Sequence, residues 1–214
     1  MNILVIAAHP DDEVLGMGAT IKKLSTQRHN VHLCVVTEGA TAQYADAKMI
    51  KIRRKSCVES GKILGIKDFY FLDFPDMKLD TVSHLEINKN LEKIIKKFKP
   101  EVVYTTPYND LNKDHASVFE STLVAIRPLS SSVKIILSYE LPGLVKKQFE
   151  PNVFSNVSKE IKFKIKAFQK YKSEVKKFPH PRSVKAIETQ AAFRGIQSGL
   201  KQAEAFKLIR KIED

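Results

Sequence analysis

The sequence predicts an α/β fold: a mostly parallel sheet flanked by helices, followed by a C-terminal helical segment. Two patterns carry that prediction. Short apolar, β-branched runs alternate with longer stretches of helical period over about the first 140 residues. Alternation of strand with helix favours parallel strands joined by right-handed crossovers. Size agrees, because 214 residues of 43% hydrophobic content can bury a proper core as one domain. Within that domain an α/β core covers about 1–140, and a loop-rich, helical part covers about 141–214.

The strand-like runs are Ile3 to Ala8, Val31 to Thr37, Phe69 to Leu72, Val102 to Thr106 and Val133 to Tyr139. Between them, a first helix is expected from Val14 to Gln27 and a second from Ala45 to Leu64, with Gly65 as its stop. A third runs from Ser83 to Phe98 before Pro100, and a fourth from Asp114 to Ile126 before Pro128. Beyond Tyr139, Pro142-Gly143 and Pro151-Asn152 punctuate a loop-rich stretch. Lys159 to Lys177, Ser183 to Ser198 and Leu200 to Ile212 then read as helices, the first two broken apart by Pro179-His180-Pro181-Arg182.

Composition narrows the function classes. Cys34 and Cys57 lie in apolar runs without CxxC spacing, the pattern of buried free thiols in a reducing cytoplasm. The N-terminus enters a strand directly, and no apolar run is long enough to span a bilayer, so a soluble cytoplasmic protein is expected. The net charge of +12 invites a nucleic-acid reading. Only seven of the 36 basic residues are arginine, however, and lysines such as Lys89, Lys93 and Lys96 are spread along helical faces. No nucleic-acid partner is therefore expected, and the field suits an anionic small substrate.

His9-Pro10-Asp11-Asp12-Glu13 stands directly after the first strand. Ligands of open α/β sheets bind beyond the carboxyl ends of the strands, at the point where strand order reverses. His9 and Asp12 carry groups that ligate a divalent cation, and catalytic zinc sites use three protein ligands. His115, at the start of the helix after the fourth strand, can meet them if the first and fourth strands are neighbours. The competing reading makes the paired acids helix caps and the chain a non-catalytic nucleotide-binding or interaction protein. Dinucleotide binding lacks its usual determinants, since no GxGxxG follows the first strand and Gly16-Met17-Gly18 lies inside the helical pattern.

The Ala8-His9-Pro10-Asp11-Asp12-Glu13 motif, the Gly16-Met17-Gly18 after it and the run from Asp110 to His115 resemble the PIG-L/LmbE family of zinc-dependent N-deacetylases. The resemblance continues through Arg53-Arg54, Leu64-Gly65, Pro-His-Pro-Arg-Ser, Arg194-Gly195 and Ala203-Glu204-Ala205-Phe206. It implies a Rossmann-like fold and a metal-dependent amidohydrolase that removes acetyl groups from N-acetylated amino sugars or their conjugates, sugar nucleotides among them. It further implies Zn2+, or another divalent transition metal, held by His9, Asp12 and His115, with Asp11 as the base that deprotonates water. A carboxylate in that place can return its proton to the departing amine. Asp114 is the natural residue to fix a ligand imidazole.

One departure concerns leaving-group protonation. Many members have His-x-Asp-His where this chain has Asn112-Lys113-Asp114-His115, and asparagine cannot donate a proton to an amine. The expectation is that Asp11 shuttles the proton while Asn112 or His180 supplies a polar contact to the intermediate. Of Arg53 and Arg54, one is expected to face the cleft and hold substrate, the alternative being a surface ion pair. Ser56 replaces the usual family glutamate, so the arginine has lost that partner. Tyr108, Glu140 and Arg182 complete the substrate-binding candidates, with loop capping as the rival role for Glu38 and Glu140. The proline-braced His180 and Arg182 reach either their own cleft or, in a homo-oligomer, that of a neighbouring subunit. Specificity is expected from the loops around Thr41 to Tyr44, Asp73 to Leu79 and Pro142 to Val153.

Overall fold

The five predicted strands form the parallel part of one sheet in the computed structural model, which describes residues 1–44, 46–143 and 146–213. Position 45, where the sequence starts the second helix, lies outside the described residues, as do positions 144 and 145 of the third expected specificity loop. The strands are β1 (Asn2–Ala7), β2 (Asn30–Thr37), β3 (Asp68–Phe74), β4 (Val102–Thr105) and β5 (Ile135–Tyr139). The helices between them are α1 (Asp12–Thr26), α2 (Lys48–Leu64), α3 (His84–Phe98) and α4 (Lys113–Ala125).

Two further strands, β6 (Val153–Asn156) and β7 (Ala203–Lys211), complete the order β3-β2-β1-β4-β5-β7-β6. Ile3 of β1 pairs with Val31 on one side and with Val102 on the other. The strand order therefore reverses between β1 and β4, and the crevice beyond their carboxyl ends is the place where such sheets bind ligands. β1 is buried on both faces, as its unbroken apolar run requires. Ile3, Val5 and Ala7 enter the core under α1, α2 and the C-terminal helices, whereas Leu4, Ile6 and Ala8 enter the core under α3 and α4.

Close approach shapes α1. The Tyr139 ring presses on Gly16, where a Cβ would lie 2.4 Å from Cδ2, and the Tyr139 hydroxyl donates to the Ile6 carbonyl at 3.0 Å. The helix bends one residue later, at Met17, whose φ is −146°. Gly16 and Gly18 thus serve helix contacts and build no phosphate-binding turn.

The C-terminal part departs from the sequence reading. The stretch expected as a helix over 200–212 is strand β7, antiparallel to both β5 and β6. Its Ala, Glu, Lys and Leu content suits a helix locally. The outer edge of β5 needs a partner for its backbone groups, and that demand decides. Glu204 points inward, where Lys164 Nζ lies 2.7 Å away and the amides of Ala19 and Thr20 donate at 3.1 and 2.6 Å. The helix expected over 159–177 is shorter, α5 (Ile161–Phe168), followed by turns. Helix α6 (Val184–Ser198) starts where expected, with the Ser183 hydroxyl accepting from the Ala186 amide. No helix among the described residues is long and apolar enough to cross a membrane.

Candidate active site

The turn after β1 and the start of α4 meet across the strand-order reversal. His9 Nδ1 lies 3.2 Å from His115 Nε2 and 3.5 Å from Asp12 Oδ2, and His115 Nε2 lies 3.4 Å from the same oxygen. All three side chains are buried. Donors of a tetrahedral zinc with bonds of about 2.0–2.1 Å are separated by roughly 3.3 Å, so the triangle has the right size for such an ion.

Carboxylates set the imidazoles. His9 Nε2 faces Asp114 Oδ2 at 3.1 Å and Asp76 Oδ1 at 3.3 Å, and His115 Nδ1 faces Asp110 Oδ2 at 2.8 Å. A ring nitrogen that donates to a carboxylate leaves the other with its lone pair. His9 Nδ1 and His115 Nε2 then aim two lone pairs at one place, an arrangement that calls for a proton or a cation between them. The surrounding acids show the same demand. Burial lowers the pKa of His9, but Asp114 and Asp12 outweigh it and carry it up to about 10. Burial likewise acts against the Asp12 and Asp110 contacts at His115, which end at about 9. The donor set therefore fits a divalent metal ion.

Asp11 sits between the candidate ligands His9 and Asp12 and is fully buried. Neither of its carboxylate oxygens has a hydrogen-bond partner among the described residues. Two guanidiniums flank it just beyond bonding distance, Arg53 at 3.4 Å and Arg182 at 3.5 Å. Glu174 ties the two together, with Arg53 Nη1 at 3.4 Å and Arg182 Nη1 at 2.7 Å, and it accepts from the Tyr44 hydroxyl at 2.9 Å. Burial raises the pKa of Asp11 against the opposing pull of Arg182 and Arg53.

The other candidate residues fall in distinct places around these groups. Arg53 is buried beside Asp11 and Glu174, whereas Arg54 is half-buried, pairs with Asp73 and stacks on Phe71. His180 is exposed, and its Nδ1 accepts from the Arg182 amide at 3.0 Å; within its own chain it orders the turn that aims Arg182 and does not reach the cleft. Tyr108 lies against Phe119 of α4 and lines neither cavity described below. Asn112 caps α4, its Oδ1 accepting from the Asp114 amide at 2.9 Å, while its side chain borders the metal-side cavity. Glu140 is held by Arg194, whose Nε donates to Oε2 at 2.8 Å, and both residues line the larger cavity described below. Glu38 does cap its loop, accepting from Ala40, Thr41 and Asp76. Asp114 contacts His9 Nε2 and also accepts the amides of Met77 and Leu79.

Asp76, Asp110 and Glu174 were missed as functional residues. Asp110 stood within the quoted motif, five residues before the histidine it holds. Asp76 reaches the site from within the Asp73 to Leu79 loop expected to border it, and Glu174 comes from a remote segment whose local pattern does not mark it. A cavity of about 390 Å³ opens on Asp12, Asn112, His115 and Arg182. Through Leu141, Pro142 and Gly143 it adjoins a second of about 610 Å³, bordered by Asn109, Gln190 and the rings of Phe149, Phe178 and Phe193.

Residues 4–126 match the family described as GlcNAc-PI de-N-acetylase, PIG-L. An Escherichia coli (strain K12) protein named uncharacterized deacetylase YaiS is 34% identical over 181 residues, which cover 80% of this chain and 91% of that protein. The diacetylchitobiose deacetylase of Thermococcus kodakarensis is 26% identical over 97% of this chain and 83% of its own length. Among solved structures, N,N'-diacetylchitobiose deacetylase from Pyrococcus horikoshii superimposes with a TM-score of 0.80 at 28% identity, covering 98% of this chain and 84% of that one. The chain belongs to the PIG-L family of de-N-acetylases.

Proposed function

We propose that this protein hydrolyses the acetamide of an N-acetylated amino sugar or sugar conjugate, releasing acetate and the free amine, with Zn2+ as its metal. The observation that carries the reading is the convergence of His9 Nδ1, His115 Nε2 and Asp12 Oδ2 beside the unbonded carboxylate of Asp11. When bound, the cation polarises a carbonyl oxygen and acidifies water towards a pKa of about 7.

The chain's own groups supply the proton transfers. Asp11 has free lone pairs and a raised pKa, so it takes a proton from the attacking water and holds it. As the C–N bond breaks, the same carboxyl returns that proton to the amine nitrogen, which satisfies the leaving group without a histidine at position 112. Arg53 and Arg182 keep the carboxylate in place, and Arg182 also borders the cavity, where it can bond a sugar hydroxyl or a carboxylate. The cavity at the ligands suits the acetamido sugar and the adjoining one the remainder of the conjugate. Two buried free thiols, Cys34 and Cys57, support a reducing, cytoplasmic setting.

The test combines metal analysis with acetate release from a panel of N-acetylglucosamine derivatives, including diacetylchitobiose and UDP-linked sugars. Zinc-loaded wild type should release acetate. Asp11→Asn should keep the zinc and lose turnover, and His115→Ala should lose zinc. A protein that binds no divalent metal, or one that binds zinc and leaves the whole panel intact, would end this reading.

A further inference from the structure

The proton-transfer carboxylate assigned above belongs to a residue in an unusual backbone conformation. Asp11 has φ 122° and ψ −21°, a region that residues with a Cβ rarely enter. Such conformations persist where the surroundings over-determine them, and they cluster at functional sites. Here the surroundings can be named. The peptide unit joining Pro10 to Asp11 belongs to neither strand nor helix ladder, and both of its polar groups are held by buried side chains. Arg53 Nη2 donates to the Pro10 carbonyl at 2.7 Å, and the Asp11 amide donates to Glu13 Oε2 at 3.1 Å.

Glu13 is itself held. Its other oxygen, Oε1, accepts from the Tyr171 hydroxyl at 2.6 Å, and both side chains are fully buried under α5 and the turn after it. A glutamate that served only the helix N-terminus would have no need of a tyrosine from 158 residues along the chain. From the other side Gly39, at φ 61°, lets the loop after β2 close on the turn: a Cβ there would stand 2.2 Å from Pro10 Cδ. Neither Glu13 nor Tyr171 borders the two cavities at the site.

We infer that Glu13, braced by Tyr171, and Arg53 are positioning residues: they clamp the Pro10–Asp11 peptide from both sides and so aim the Asp11 carboxylate between the ligands His9 and Asp12. Inverting φ at residue 11 swings its Cβ relative to the two peptides that carry the ligands. The clamp therefore lets three of four consecutive residues deliver functional groups to one cleft. This inference rests on the assignment of proton transfer to Asp11, but its structural half can be read without turnover.

The experiment compares full-length wild type with Glu13→Ala, Glu13→Gln and Tyr171→Phe, by zinc content, steady-state kinetics on the best N-acetylglucosamine derivative of the panel, and crystallography. Misplacing a catalytic group by about 1 Å costs on the order of 10²-fold, so Glu13→Ala should lower kcat by that factor with KM and zinc content nearly unchanged. Glu13→Gln keeps an acceptor for the Asp11 amide and should recover most of the loss, which a general defect of folding would not. In the Glu13→Ala crystal structure φ of Asp11 should leave the positive range. Wild-type kcat in Glu13→Ala, or a φ still near its wild-type value, would overturn the clamp. Should Glu13→Ala not fold, Tyr171→Phe, which removes a single hydroxyl, decides by the same two readings. A wild type that releases no acetate would count against the deacetylase reading alone, and φ at residue 11 would still judge the clamp.

Discussion

Removing the charge of Asp110 tests how the metal site is held. Asp110 touches no other candidate ligand; its Oδ2 receives His115 Nδ1 at 2.8 Å, and its Oδ1 accepts the Asn112 amide at 2.9 Å. The contact is largely shielded, with the two side chains 9% and 13% exposed. Asp110→Asn keeps an oxygen for the Asn112 amide and loses the carboxylate that orients the imidazole. Hydrogen bonds to charged groups contribute about 1.5–3 kcal/mol. Loss of a carboxylate behind a ligand histidine typically costs about 10–100-fold in metal affinity, or roughly 1.4–2.7 kcal/mol. The two scales overlap, so zinc should bind Asp110→Asn about 10–100-fold more weakly than wild type. Competition against a fluorescent chelator measures this, and thermal melts in EDTA establish that the variant folds. Asp80→Asn is the control, because Asp80 pairs with Lys113 at the surface and its removal should change affinity by no more than about two-fold. Equal zinc affinity in wild type, Asp110→Asn and Asp80→Asn would refute the account of how His115 is oriented.

Two other perturbations separate site residues from structural ones. Arg54→Ala should leave kcat/KM within about two-fold, since its surface pair with Asp73 is of the kind that contributes about 0–1 kcal/mol; a large kinetic loss would return Arg54 to the cleft. The His32 prediction concerns pH. Burial lowers the pKa of His32 below 6.5 and outweighs the raising effect of Asp68. The unfolded chain therefore binds the proton more readily, and stability falls as pH drops through and below that value. Urea melts at pH 7, 6 and 5 should show a shallower acid loss in His32→Gln than in wild type, and identical slopes would remove His32 from the account.

The parts of the fold legible in the sequence were those in which local pattern and tertiary demand agree. β1 is an unbroken apolar run because both of its faces are covered, and Gly65 ends α2 in the left-handed conformation that its position implied. At β7 the two disagree. The run from Ala203 to Lys211 has helix-forming composition, and it becomes a strand because β5 would otherwise leave an unpaired edge. No window along the chain contains that information, since the partner lies about 70 residues upstream.

The same division runs through the site. His9, Asp12 and His115 could be picked out as candidate ligands because they lie in the turn and helix starts that follow β1 and β4, on the side of the sheet where the reversal of strand order puts ligands. Asp114 was legible as a holder from its place beside His115, whereas Glu174 was not, because a holder needs only to reach a ring nitrogen or a guanidinium from wherever the chain passes. Glu174 illustrates the consequence. Ser56 occupies the place where a glutamate partner for Arg53 was expected, and the buried guanidinium still requires a counter-charge. Glu174 supplies it from the turns after α5, and in doing so also binds Arg182. One carboxylate thus joins the α2 arginine to the turn carrying Pro181 and Arg182. A substitution at Glu174 should accordingly be felt at both guanidiniums that flank Asp11, although Glu174 itself is no ligand and its sequence neighbourhood gives no sign of the role.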